Sequence, residues 1–218
     1  MKARDPRLRG LYLVTDARLA PDEHLRSAVE AALNGGARIV QYRDKSDDAA
    51  RRRAQALALR ELCSRHGALF LVNDDVALAQ ACGADGVHLG REDMPIETAR
   101  VRLGEAAIIG VSCYDQLSLA LDAQARGADY VAFGAFFPSG VKPEAVRAPV
   151  ALLSRAREAL QLPICAIGGI TAENGAPLIR HGADMLAVIS AVLARENVAC
   201  AAHEIHQLFV NPLQDASR

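Results

Sequence analysis

A chain of 218 residues, 51% hydrophobic and 23% charged with a net charge of −1, has ample material for one core, and that size is routine for a single barrel domain. The near-neutral balance argues against a general nucleic-acid binder, which carries a basic patch or stripe; the nearest candidate, Arg51-Arg52-Arg53, lies in an Ala-rich helical stretch and reads as a solvated helix face. No segment reaches the apolar length of a membrane span, and the N-terminal Met1-Lys2-Ala3-Arg4-Asp5-Pro6-Arg7 lacks the apolar core of a secretory signal.

In chain order, short β-rich runs alternate with longer helical patterns. Strands are expected at Leu11–Thr15, Ile39–Arg43, Leu69–Asn73, Gly86–Leu89, Ile108–Ser112, Tyr130–Gly134, Ile164–Gly168 and Met185–Ile189. Most are apolar throughout, as parallel strands covered by helices tend to be. The intervening stretches are rich in Ala, Leu, Arg and Glu, and two open on acidic residues, Pro21-Asp22-Glu23 and Asp47-Asp48-Ala49.

A short repeat supports this division. Gly36-Ala37-Arg38, Gly83-Ala84-Asp85, Gly127-Ala128-Asp129 and Gly182-Ala183-Asp184 each precede a strand. Glycine suits the left-handed residue that closes a helix, so the repeat marks the end of the fold where helices hand over to strands. Asp16, Arg43, Asn73, Asp74, Ser112 and Ser190 fall at the opposite end. Eight βα units with polar residues at the strand C-termini describe an α/β fold, a single (β/α)8 TIM barrel; an open doubly wound sheet is the alternative. The expected organisation is one domain over 1–218, with 1–9 as an N-terminal extension and 211–218 as a frayed tail. Barrels often self-associate, so a homo-oligomer is compatible with the sequence, although no heptad or apolar stripe marks a partner surface. Five scattered cysteines, Cys63, Cys82, Cys113, Cys165 and Cys200, form no Cys-x-x-Cys, which suits a reducing cytoplasm.

The chemistry gathers after the second strand. In Gln41-Tyr42-Arg43-Asp44-Lys45, an extended backbone puts Gln41, Arg43 and Lys45 on one face, with Val40 and Tyr42 on the other. An amide, a guanidinium and an ammonium together suit a ligand with several anionic oxygens and a neighbouring polar group. Asp74 and Asp93 are candidate Mg²⁺ ligands, because that ion takes one or two carboxylates plus water and substrate phosphate; Asp74 also competes with Asp75 for a helix N-cap. After the sixth strand, Phe136-Phe137-Pro138-Ser139-Gly140-Val141-Lys142 could wrap a phosphate, and its two aromatics argue for a lid or wall. Gly168-Gly169 and Ile189-Ser190 follow strands seven and eight, the place where barrels often bind phosphate. His88, flanked by Val87 and Leu89, reads as a hydrogen-bonded interior histidine.

Together these residues resemble thiamine-phosphate synthase. The segments that carry the resemblance are Leu11-Tyr12-Leu13-Val14-Thr15-Asp16, Gln41–Lys45, Val72-Asn73-Asp74-Asp75, Gly86–Asp93, Gly110-Val111-Ser112, Phe136–Ser139, Ile167–Thr171 and Val188-Ile189-Ser190. They run in the family's order over nearly the whole chain. The resemblance implies Mg²⁺-dependent coupling of 4-amino-5-hydroxymethyl-2-methylpyrimidine diphosphate with 4-methyl-5-(2-phosphoethyl)thiazole to give thiamine phosphate and diphosphate. It further implies that Gln41, Tyr42, Arg43, Asp44, Lys45, Asn73, Ser112 and Lys142 bind the pyrimidine diphosphate. Within that set Arg43, Lys45, Ser112 and Lys142 are the catalytic residues. Ser139, Gly140, Val141, Gly169, Ile189 and Ser190 would hold the thiazole phosphate, and Asp74 and Asp93 the Mg²⁺. Two departures stand out: Val141 where many members have threonine, which predicts weakened thiazole-phosphate binding, and Arg91 where glutamine is frequent. A thiazole tautomerase-like isomerase and a non-catalytic phosphate-ligand binding protein remain alternatives.

Overall fold

Eight parallel strands hydrogen-bond in chain order, and the last pairs with the first to close a barrel in the computed structural model, which describes residues 5–138 and 146–210. The strands are β1 (Gly10–Val14), β2 (Ile39–Tyr42), β3 (Leu69–Asn73), β4 (Gly86–Leu89), β5 (Ile108–Tyr114), β6 (Tyr130–Phe133), β7 (Ile164–Ile167) and β8 (Met185–Val188). Helices α1 (Asp22–Asn34), α2 (Ala49–Arg65), α3 (Val76–Cys82), α4 (Ile96–Leu103), α5 (Leu117–Ala125), α6 (Ala151–Ala159) and α7 (Ala176–Arg180) follow the first seven strands in turn; α8 (Ser190–Leu193) and α9 (Val198–Val210) follow the eighth. The expected (β/α)8 barrel is the observed one, with strand ends within two residues of their expected positions. No helix among the described residues is long and apolar enough to cross a membrane.

Strand alternation produces two cores. One side of each strand faces the helices, as Leu11, Leu13, Val40, Phe70, Val131 and Leu186 do. The other side fills the barrel, with Tyr12, Ile39, Leu69, Leu71, Ile108, Tyr130, Cys165 and Met185. Both faces are dry, which is why the strands read as continuous apolar runs. Within the segment 1–9, Leu8 is 3% exposed and joins the inner core. The terminal segment 211–218 lies outside the described residues.

The Gly-Ala-Asp repeat has a specific structural task. Gly36, Gly83, Gly127 and Gly182 all take the left-handed conformation, with φ of 104°, 65°, 88° and 109°. The aspartates then bond across to the preceding strand. Asp85, Asp129 and Asp184 accept the backbone N–H of Phe70, Ile109 and Ile164, each at 2.8 Å. Each carboxylate also meets an arginine from the helix layer: Arg60 at 3.8 Å, Arg100 at 2.6 Å and Arg157 at 3.0 Å. The repeat therefore holds the helix-to-strand end of the barrel and leaves the opposite end to function.

Candidate active site

At the C-terminal end of the strands lies a cavity of about 740 Å³, within the usual range for a small-molecule site. Inward-facing residues build it. Val14 and Gln41 end the inner rows of β1 and β2, Asn73 and His88 those of β3 and β4, and Ser112 and Ala132 those of β5 and β6; Arg43 and Arg91 stand at its rim.

The floor is a single hydrogen-bonded line. Gln41 Nε2 donates to the Tyr12 hydroxyl at 2.7 Å, and the Tyr12 and Tyr130 hydroxyls lie 2.8 Å apart. His88 Nδ1 is 2.8 Å from the Tyr130 hydroxyl, and its Nε2 is 2.8 Å from Ser112 Oγ. Five strands thus contribute one side chain each. Burial pushes both phenols well above their usual pKa, so both keep their protons at neutral pH. His88 is the hydrogen-bonded interior histidine the sequence indicates. Tyr12 and Tyr130 are functional candidates that sequence reasoning missed. The available signal was two tyrosines at inward positions of otherwise apolar strands, where a hydroxyl needs a partner.

Strand alternation sorts the segment Gln41–Lys45. Gln41, 5% exposed, faces the barrel interior. Arg43 lines the cavity, its backbone fixed to the Thr15 hydroxyl at 2.8 Å. It makes no ion pair among the described residues, which leaves its guanidinium for an anion. Lys45 lies beyond the end of β2 and reaches sideways to pair with Asp74 Oδ2.

Tyr42 and Asp44 are expected to bind the substrate, but their side chains bond elsewhere. Both turn to the helix layer, because they occupy the alternate face. The Tyr42 hydroxyl donates to Gln55 Oε1 at 2.7 Å. Asp44 accepts from Ser46 N at 2.8 Å and from Arg51 Nη2 at 3.0 Å. Burial opposes ionisation of Asp44, but the Ser46 bonds and the Arg51 guanidinium hold its carboxyl below the usual range. Arg51 also reaches Asp22 of α1, so one of the three consecutive arginines fastens the loop after β2 to its neighbours instead of standing in solvent.

The adjacent aspartates divide their work. Asp75 caps α3, accepting Leu78 N at 2.8 Å, and pairs with Arg52 at 2.9 Å. Asp74 is thereby free of capping. It sits at φ 56°, a conformation uncommon outside glycine and tolerated best by Asn and Asp, and its Oδ2 accepts Asn73 Nδ2 at 2.8 Å in addition to Lys45. Asp93 Oδ2 accepts Gly90 N at 2.6 Å. Lys45, Asp74 and Asp93 do not line the cavity themselves; each stands within two residues of one that does, Arg43, Asn73 and Arg91 respectively. Among the described residues no three His, Cys, Asp or Glu side chains gather as a metal cage. Two carboxylates on neighbouring loops fit Mg²⁺, which relies on water and substrate phosphate for its remaining ligands.

Two rim residues add to the wall. Tyr114, at φ 53°, follows a register shift between β5 and β6, and the Arg91 guanidinium lies 5.1 Å from its ring centroid, a cation–π contact worth about 0.5–1 kcal/mol when exposed. Cys113 is fully buried on the helix side, and burial pushes its thiol up to about 12.

Across the barrel, a Cβ on Gly169 would lie 2.2 Å from the Pro138 carbonyl oxygen, so Gly168-Gly169 is needed for the loops after β6 and β7 to pack, whatever else it holds. Phe137 N donates to Gly168 O at 2.9 Å. Phe136, one of the two aromatics expected in a lid, is 4% exposed and belongs to the helix-facing core; it anchors the stem of the loop. Ile189 lines the cavity and Ser190 opens α8. Ser139, Gly140, Val141 and Lys142 lie outside the described residues.

Comparison with known proteins shows the family and agrees with the fold. A family model described as thiamine monophosphate synthase matches residues 11–192. The chain is 59% identical over 203 residues to a thiamine-phosphate synthase of Thioalkalivibrio sulfidiphilus, covering 93% of this chain and 96% of that one. It is 57% identical over 201 residues to one of Thiobacillus denitrificans, covering 92% and 94%. Among solved structures, thiamine phosphate pyrophosphorylase from Pyrococcus furiosus superposes with a TM-score of 0.87 at 38% identity, covering 96% of this chain and all of that one. On the match across residues 11–192 and the identity to relatives spanned almost end to end, the chain belongs to the thiamine monophosphate synthase family.

Proposed function

We propose that this chain is a transferase that joins 4-amino-5-hydroxymethyl-2-methylpyrimidine diphosphate to 4-methyl-5-(2-phosphoethyl)thiazole, giving thiamine phosphate and releasing diphosphate. The observation that carries this reading is the placement of Gln41, Arg43, Asn73 and Ser112 around one cavity at the strand C-termini, in a chain of this family.

The chemistry follows from charge. The pyrimidine methylene–oxygen bond can break first, because the aminopyrimidine delocalises the resulting cation. Barrier lowering then consists of stabilising the negative charge that grows on the departing diphosphate. Arg43 faces the cavity and makes no ion pair among the described residues, the nearby Asp16 being paired with Arg18, and Lys45 follows two residues on, paired with Asp74. Asn73 and Ser112 supply hydrogen bonds at the same end of the barrel. Asp74 and Asp93 are the residues that would hold Mg²⁺, and when bound that ion would neutralise diphosphate oxygens as a Lewis acid. The apolar wall from Val14, Ala132, Ile167 and Ala187 keeps water from the cation. The thiazole phosphate docks across the barrel, near Gly169, Ile189 and Ser190; the family resemblance assigns Ser139, Gly140 and Val141 to the same phosphate and Lys142 to the diphosphate. Anchoring both substrates converts the attack of the thiazole nitrogen into an effectively intramolecular step.

Five cysteines without a disulfide among the described residues, four of them buried, support a reducing, cytoplasmic setting.

The test is incubation of the purified chain with both substrates and Mg²⁺, detecting thiamine phosphate by its oxidation to a fluorescent thiochrome. Product that depends on both substrates and on the metal is the expected result. Rearrangement of the thiazole without coupling would sink this reading.

A further inference from the structure

The line of hydrogen bonds across the barrel floor has a direction. Each hydroxyl carries one proton, and an uncharged imidazole carries one on either of its two nitrogens. The Gln41 amide nitrogen donates into the line at Tyr12. The Tyr12 hydroxyl is buried, and among the described residues its polar contacts are Gln41 and Tyr130. Its proton must therefore go to Tyr130, because an undelivered proton would be a buried unsatisfied donor. The Tyr130 proton then goes to His88 Nδ1, which has to be bare to accept it. The imidazole proton is left on Nε2 and is donated to Ser112 Oγ. Ser112, already accepting, keeps its own proton for the cavity it lines. The opposite direction would need the Gln41 carbonyl oxygen where its nitrogen stands, and would make Ser112 donate its proton to His88 Nε2, leaving only its lone pairs for the cavity.

We infer that this line fixes His88 as the Nε2–H tautomer and so makes Ser112 a hydrogen-bond donor to the diphosphate leaving group, with Tyr12, Tyr130 and His88 as positioning residues. The inference rests on the proposed reading of the cavity as a pyrimidine diphosphate site. Both ends of the line then complement that substrate. Ser112 presents a donor where negative charge grows, and Gln41 keeps its carbonyl oxygen as an acceptor for an exocyclic amino group. Successive hydrogen bonds polarise one another, so the line also strengthens the Ser112 donor at the moment the charge develops. The fold reserves the space: a Cβ on Gly110 would stand 2.0 Å from Tyr130 Cζ, and only its absence lets the phenol reach across to His88.

The test begins with the unliganded protein labelled with ¹⁵N-histidine. Long-range ¹H–¹⁵N correlation spectra identify the tautomer, and His88→Gln assigns the signal among the six histidines. The Nε2–H tautomer at neutral pH is the expected result; an Nδ1–H tautomer or a doubly protonated ring overturns the inference. Kinetics supply the second arm. Tyr130→Phe, nearly equal in volume, should lower kcat roughly tenfold while KM for the pyrimidine diphosphate stays within about twofold. Tyr12→Phe should lose no more than about threefold, because Tyr130 keeps the proton it gives to His88. A Tyr130→Phe enzyme with unchanged kcat, or a Tyr12→Phe loss as large as that of Tyr130→Phe, overturns the positioning role. A native chain with the expected tautomer and no thiamine phosphate formed would refute the functional reading, and the leaving-group role of Ser112 with it, while the direction of the line would stand.

Discussion

Tyr130 occupies the space that Gly110 leaves empty: a Cβ at Gly110 would lie 2.0 Å from the phenol Cζ and 2.4 Å from its oxygen. The two residues pair across β5 and β6 in direct register, so one cannot move without the other. Gly110→Ala should therefore lower stability by about 1–3 kcal/mol through overpacking, read as a fall in Tm of about 2–4 °C per kcal/mol for a chain of this size. An unchanged Tm in calorimetry would show that the phenol has room to retreat.

Asp74 and Asp75 are neighbours with separable duties. Asp75→Ala removes the α3 cap and the Arg52 ion pair, so it should cost about 1 kcal/mol of stability and leave kcat near native. Asp74→Ala should do the reverse, leaving thermal unfolding in place while kcat collapses and the Mg²⁺ concentration for half-maximal rate rises. Denaturation curves and metal titrations of the two variants side by side decide it; equal losses of activity would remove the distinction.

Arg43 makes no ion pair among the described residues and faces the cavity, and its truncation leaves the nearby buried Asp16 with its Arg18 partner. Arg43→Ala should lower kcat by about two to three orders of magnitude, the scale for deleting one preorganised group aimed at developing charge, with Tm unchanged. Steady-state kinetics and a melting curve on the same preparation give both readings. A melting temperature that falls along with the rate would assign the side chain a structural role.

Tyr42 tests the sorting imposed by strand alternation. Its hydroxyl bonds to Gln55 in the helix layer, so Tyr42→Phe should leave KM for the pyrimidine diphosphate unchanged and cost about 0.5–1.5 kcal/mol of stability, the net worth of one hydrogen bond. A raised KM would place the hydroxyl back in the substrate's path.

Much of this molecule is written in local pattern. Continuous apolar runs such as Leu69–Asn73, separated by helical stretches and punctuated by Gly-Ala-Asp, state a parallel barrel because each signal depends only on residues a few places apart. The order of Gln41–Lys45, Asn73-Asp74, Asp93 and Ser112 along the chain likewise carries the family resemblance. Tertiary structure alone decided the remainder. Tyr12, Tyr130 and His88 are separated by up to 118 residues, and no spacing in sequence reveals that their polar atoms meet. Asp75 took the cap and released Asp74 because Arg52 and Leu78 reach one carboxylate and Lys45 the other. For Tyr42 and Asp44 the period of two separates them from Gln41 and Arg43 already in the sequence; that the helix layer supplies their partners, Gln55 and Arg51, only the packed structure decided. Linear pattern determines which elements form; which side chains share a cavity depends on barrel closure, which brings distant strands into contact.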